Sequence, residues 1–227
     1  MSVVKGRSFC PSCNKQIKWY NNIPLLSFII LKARCIECST KINVKYFLVE
    51  LISGLNFVLI FYLFGISLTT LLFFILSICF IIIFFIDLKH FIIPNELTYP
   101  LMVIGFLKSF DPYLNYHLFP NFINSLIGGI FGYVIIWLII FIYKKLRNKE
   151  GMGLGDAKLL SVIGFWFGWI SIPFVIFFSS FVALISVIPD LIKNKKKLSS
   201  QIPFGPFIII GNLIFLFLFD QIKLFLN

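Results

Sequence analysis

The sequence predicts an all-α polytopic membrane protein, a helical bundle of about seven spans with a small cytoplasmic cysteine-rich, zinc-knuckle domain. Three observations predict it. Of 227 residues, 59% are hydrophobic and 13% charged, whereas soluble domains carry about a quarter charged residues. Apolar runs follow one another from residue 46 almost to the C-terminus, and helices satisfy their own backbone in lipid. Residues 1–45, by contrast, are polar and basic and hold two Cys-x-x-Cys pairs.

The chain therefore divides into a cysteine-rich domain over 1–45 and a membrane-embedded domain over 46–227, with a core at about 68–190. Candidate spans fall at roughly 46–64, 68–86, 97–110, 121–143, 157–169, 171–189 and 204–224. The third and fifth are short. The fifth and sixth, parted by little more than Ser171 and Pro173, read as a tight helical hairpin. No apolar h-region of a cleavable signal precedes residue 45, so insertion is expected to rely on the internal spans.

The net charge of +11 would suggest nucleic acid in a soluble protein. Placing residues 1–45 in the cytoplasm and alternating from there leaves only Lys108 and Lys223, of twenty basic residues, on the far side. Cytoplasmic loops collect Lys and Arg. Topology thus explains the charge, which is divided among loops, and no nucleic-acid partner is expected. Membrane lipid is.

This topology brings two carboxylates to the cytoplasmic ends of spans. Asp87 closes the second span after Ile81–Ile86, and Asp156 opens the fifth after Gly151-Met152-Gly153-Leu154-Gly155. Two carboxylates converging in a partly dry site do not both ionise readily. One can then deprotonate a water while the other donates to a scissile carbonyl. Single aspartates at helix ends are also common, and the dipole alone favours Asp156 at an N-terminus. The glycines allow close backbone approach by a substrate strand. Gly153, Gly155 and Lys158 form the candidate active-site loop; Lys158 either orients Asp156 or faces lipid headgroups. The loop lacks the spacing and the Lys-Ser/Thr ending of a phosphate-binding P-loop. His90 and His117 read as loop residues, since an aspartyl pair needs no imidazole.

Cys10-Pro-Ser-Cys13 and Cys35-Ile-Glu-Cys38 can place four thiolates around one tetrahedral Zn²⁺. A reducing cytoplasm favours metal over disulfide. Four protein thiolates leave no open position, so the role is structural; redox or unliganded cysteines are the alternative. Cys79, alone in an apolar run, reads as packing, and Glu50, at the start of a span, as an interfacial acid ahead of a functional one.

The stretch Gly151-Met-Gly-Leu-Gly-Asp-Ala-Lys158 resembles the Gly-x-Gly-Asp motif of intramembrane aspartyl proteases, most closely the type IV prepilin peptidase (leader peptidase) family. Asp87-Leu88-Lys89 with Ile93-Pro94-Asn95-Glu96-Leu97-Thr98, and Ile202-Pro203-Phe204-Gly205-Pro206-Phe207, are similar to two further segments of that family. So are Arg7–Pro11, Ile17–Ser27 and Tyr46–Leu51 in the cysteine-containing part. The resemblance runs from Arg7 to about Gly211. It implies an aspartic endopeptidase in the bacterial inner membrane, with Asp87 and Asp156 catalytic, which removes short basic leaders from prepilin-like or pseudopilin precursors at the cytoplasmic face. It also implies N-methylation of the new amino terminus with S-adenosylmethionine, supported by residues 1–50. Members of the family usually carry one more span ahead of the cysteine domain, eight in all; this chain starts just upstream of the knuckles, which leaves a peptidase without methyltransferase activity as one alternative. A non-enzymatic transporter or assembly factor is the other. It predicts carboxylates near mid-bilayer, whereas both acids here fall at one membrane end.

Overall fold

The computed structural model describes residues 8–111, 114, 119–147, 153–192, 202–219 and 221–222. Arg7, Lys149, Lys193, Lys195, Lys196, Lys197 and Lys223, His117, and Gly151 and Met152 of the glycine-rich stretch lie outside the described residues. Among the described residues the regular elements are all helices, with no strand. The chain packs as two units, Met1–Ile78 and Cys79–Asn227.

In the first unit, a 3-10 turn at Trp19–Asn22 and a short helix α1 (Leu26–Ile30) lead to α2 (Val44–Phe64) and to the opening turns of α3 (Leu68–His90). Asn43 caps α2, its side chain accepting from the Lys45 N–H at 2.9 Å. Gly65, at φ 59°, ends that helix, and Thr70 donates back to its carbonyl at 2.6 Å. Stacked rings then tie α2 to α3, Phe57 to Phe74 at 4.1 Å and Phe64 to Phe73 at 4.9 Å. Most of α2 is apolar and exposed, as a lipid-facing helix requires.

The second unit holds the rest of α3, then α4 (Asn95–Leu107) with a 3-10 turn at Lys108–Phe110, α5 (Phe122–Arg147), α6 (Leu154–Phe167), α7 (Ser171–Ile192) and α8 (Gly205–Phe217). Helix α6 is the core: ten of its fourteen residues are buried, enclosed by α4, α5, α7 and α8. Its backbone touches that of α5. A Cβ at Gly128 would lie 2.5 Å from the Gly164 carbonyl oxygen, and one at Gly164 would collide with the Gly128 carbonyl. Small residues let apolar helices approach this closely. Hydroxyls fasten the seam, Ser161 donating to Gly129 O at 2.8 Å and Ser125 to Phe165 O at 2.7 Å. On the α4 side the Trp166 indole donates to Leu101 O at 2.8 Å. Lys108, 5% exposed, donates to Trp166 O at 2.8 Å and lies 3.6 Å from the Phe119 ring centroid, its amine satisfying a carbonyl in the C-terminal turn of α6.

Among the described residues, four helices are long and apolar enough to cross a membrane: Val44–Phe64, Leu68–His90, Phe122–Leu146 and Ser171–Pro189. The segments expected at 97–110, 157–169 and 204–224 appear as the shorter α4, α6 and α8, below the about 20 residues of a full span. For α6 the reason is physical, since a helix sheathed in protein need not match the bilayer by itself.

Candidate active site

Three helix ends supply the site in the second unit: the last turn of α3, the first turn of α6 and the first turn of α8. Asp87 projects from α3 and is 4% exposed; Asp156, in the first turn of α6, is 7% exposed. The two carboxylates lie within Coulombic reach of each other. Asp156 is in the helix because α6 begins at Leu154, three residues before the expected span, its amide donating to Gly153 O at 3.2 Å.

Asp87 is held from the far end of the sequence. The Gly205 N–H, at the start of α8, donates to Asp87 Oδ2 at 3.0 Å. A helix N-terminus is a natural seat for a carboxylate. Glycine leaves the carboxylate undisturbed there: a Cβ at residue 205 would lie 2.7 Å from Asp87 Oδ2 and 3.1 Å from Ile93 Cδ1. Ile93, itself buried, also packs against Gly155, where a Cβ would lie 3.0 Å from its own. It wedges between the two glycine positions that flank the aspartates. The chain delivers Ile93 by reversing after α3: Phe91 takes φ 57° and donates to Asp87 O at 2.9 Å, and Pro94 caps α4.

Of the expected loop residues, Gly153 precedes α6 while Gly155 and Lys158 lie inside it. Residues two apart on a helix do not share a face. Lys158 accordingly donates to Asn95 Oδ1 at 2.7 Å and sits 5.4 Å from the Tyr99 ring centroid, at the rim. Ile93 and Gly205 had no role in the sequence reading. Their signal was present in Ile93-Pro94-Asn95 and Phe204-Gly205-Pro206, without a way to see that Gly205 meets a side chain 118 positions away.

The first unit builds a second candidate site from two matching knuckles. In each, the first cysteine's N–H donates to the carbonyl five residues on, Cys10 N to Lys15 O at 2.9 Å and Cys35 N to Thr40 O at 3.0 Å. The residue after each second cysteine has positive φ, Asn14 at 54° and Ser39 at 56°, and donates back to the first cysteine's carbonyl. Bridges Phe9–Gln16 and Arg34–Lys41 flank the two turns. The four Sγ atoms of Cys10, Cys13, Cys35 and Cys38 lie within 4.8 Å of one another, and Cys10 and Cys38 are 3.8 Å apart. Tetrahedral ligands at a Zn–S distance of about 2.3 Å stand about 3.8 Å apart, so the cluster can hold a metal ion. The Thr40 hydroxyl, 3.1 Å from Cys38 Sγ, pulls that thiol down to about 6, toward the thiolate a metal takes. Lys15 and Glu37 bridge the knuckles at 2.5 Å, and the hydrogen bond from Lys15 holds the Glu37 carboxyl below its ordinary value.

A family model described as the type IV leader peptidase family matches residues 74–188, and one described as the bacterial peptidase A24 N-terminal domain matches residues 1–64. Among curated relatives, the prepilin leader peptidase/N-methyltransferase of Aeromonas salmonicida (strain A449) is 36% identical, over 97% of this chain and 74% of the relative. The proteins of that name from Pseudomonas aeruginosa and Legionella pneumophila are each 34% identical, over 97% and 98% of this chain and 74% and 76% of their own lengths. No solved structure matches.

Proposed function

This chain belongs to the type IV leader peptidase family, and from that premise we propose that Asp87 and Asp156 are its catalytic pair, removing leaders from prepilin-like precursors. The observation that carries this is the burial of two carboxylates within mutual reach where α3, α6 and α8 end together. Water oxygen adds to the scissile carbonyl carbon. One carboxylate takes the water proton and the other donates to the carbonyl oxygen. Collapse breaks the C–N bond, and a proton passes to the leaving amine. The pair acts as one titrating unit, so neither Asp is assigned the base. Gly205 fixes Asp87 from α8, and Ile93 keeps the back of the site apolar. Precursors of pilus, secretion or competence systems, with a short basic leader ahead of an apolar helix, suit a site at the end of a membrane bundle.

The distribution of Lys and Arg in the sequence supports an inner-membrane protein with its cysteine domain (1–45) and active site at the cytoplasmic face. Cys10, Cys13, Cys35 and Cys38 would hold a structural zinc ion, which when bound crosslinks the two knuckles and leaves no open coordination position. The names of the relatives support a second activity, N-methylation of the new amino terminus. S-adenosylmethionine would supply the methyl group for that transfer.

The test is cleavage of a pilin-type precursor in membranes. Asp87→Asn and Asp156→Asn are each expected to cut at least about a thousandfold more slowly than wild type. Cleavage at the wild-type rate by either variant removes the pair. The mass of the mature product reads methylation separately, as an added methyl group.

A further inference from the structure

Helix α1 turns its apolar face away from the protein. Leu26, Ile29 and Ile30, spaced i, i+3 and i+4, share one side of it and are 56%, 63% and 73% exposed. The opposite side carries Phe28, whose ring centroid lies 5.0 Å from that of Phe47 on α2. The 3-10 turn beside α1 adds Trp19, 79% exposed, and Tyr20, their rings in a T-shaped contact. Neighbouring apolar groups left bare in this way mark an interaction surface.

Two contacts fix where this surface lies along α2, which is long and apolar enough to span a membrane. Phe28 meets Phe47, three residues past the first residue of that helix, Val44. The Leu25 N–H, turned there by a backbone φ of 61°, donates to Glu50 Oε2 at 2.9 Å, six residues past Val44. At about 1.5 Å per residue, α1 lies beside roughly the first 5–9 Å of the span. Helices that lie in a membrane interface bury their apolar face to this depth. The bond also satisfies the one carboxylate of α2, within an otherwise apolar helix.

Charge identifies the kind of membrane surface. Glu37 is the one acid between residues 8 and 45, and it bridges to Lys15. Lys18, Lys32, Arg34 and Lys45 are all exposed, and the Lys18 ammonium lies 5.8 Å from the Tyr20 ring centroid. Lys45 and Tyr46 open α2 with the basic and aromatic pairing of a membrane–water boundary.

We propose that α1 and the 3-10 turn are seated in an anionic lipid leaflet, so that the cysteine unit rests on the membrane beside its own span. Trp19, Leu26, Ile29 and Ile30 enter the boundary between headgroups and acyl chains. Lys18, Lys32 and Arg34 meet the phosphates of the headgroups. A second copy of the chain would bring the same surplus of positive charge to the contact, which disfavours it as the occupant. This seating depends on α2 being a membrane span and on neither enzymatic activity.

The test uses the full chain in phosphatidylglycerol nanodiscs, with a phosphatidylglycerol that carries a photoactivatable group high on its acyl chain. Adducts are mapped by mass spectrometry, and those on residues 47–64 of α2 serve as the internal reference. Residues 19–30 are expected to be labelled at a yield comparable with that reference. A labelled α2 beside unlabelled 19–30 overturns the proposal, and an α2 without adducts removes its span as well. Ile29→Ser/Ile30→Ser is expected to lower the yield on 19–30 about threefold or more, with α2 labelled as in wild type. Lys18→Gln/Lys32→Gln is expected to lower it by a similar factor. So is a change of the discs and probe to phosphatidylcholine, with the wild-type chain. Wild-type yields in both variants, or equal yields in both lipids, overturn the proposal. Amine crosslinks between Lys18 or Lys32 of light-isotope and heavy-isotope copies, in place of lipid adducts, give the face to a second copy and overturn it too.

Discussion

The cysteine-rich unit and the aspartate unit are held together in different ways. Between residues 8 and 43, Cys10 is the one buried residue; order there comes from paired turns, backbone hydrogen bonds and a cluster of thiols. The aspartate unit is built around α6, with Ala157, Leu159, Leu160, Val162, Ile163 and Trp166 fully buried. A small segment without an apolar core needs a metal or a crosslink, whereas a helix sheathed in helices needs tight packing. The same chain thus carries one site whose shape depends on sulfur chemistry and one whose shape depends on glycine.

The sharpest break between the two is Gly164→Leu. Its side chain must force α5 from α6, at a cost expected to exceed about 3 kcal/mol. Loss of the thermal transition and of cleavage, with the metal content of the cysteine unit retained, is the expected outcome, read by scanning fluorimetry and metal analysis. Next in size is Gly205→Ala. A methyl placed 2.7 Å from Asp87 Oδ2 must move that carboxylate. Cleavage is expected to fall about a hundredfold while the melting temperature shifts little, as measured on the purified protein. Cys35→Ser reverses the pattern. Bound zinc should drop from one equivalent to near none, and cleavage by less than about tenfold, because the carboxylates are placed by α3, α6 and α8. Unchanged zinc content would remove Cys35 as a ligand. Smallest is Lys158→Met. It deletes a rim hydrogen bond to Asn95, so cleavage should stay within about threefold and stability within about 0.5 kcal/mol.

Much of this was legible in the sequence because it rests on local chemistry. The apolar runs mark the helices, the paired Cys-x-x-Cys turns mark the thiol cluster, and Asp87 and Asp156 stand out as acids at the ends of apolar segments. The start of α6 was harder to see. Gly153-Leu154-Gly155 reads as loop because glycine is a poor helix former, yet Gly155 lies in the helix, where its bare backbone admits Ile93. Lys158 reads in the sequence either as orienting Asp156 or as facing lipid headgroups, and helical geometry turns it to Asn95 instead. Glu50 reads as interfacial because its partner, the Leu25 amide, belongs to a segment with no periodic pattern. In each case the missing information was a contact between residues distant along the chain.

The bond from Gly205 to Asp87 also bears on how the molecule comes into being. Residues emerge from the ribosome in order, and both aspartates are made well before residue 205. A nascent chain stalled ahead of α8 holds its two carboxylates without the amide that positions one of them. On the proposed reading of the pair, competence to cut would wait for the seating of α8, and a chain still being threaded into the bilayer would stay idle beside its substrates until then.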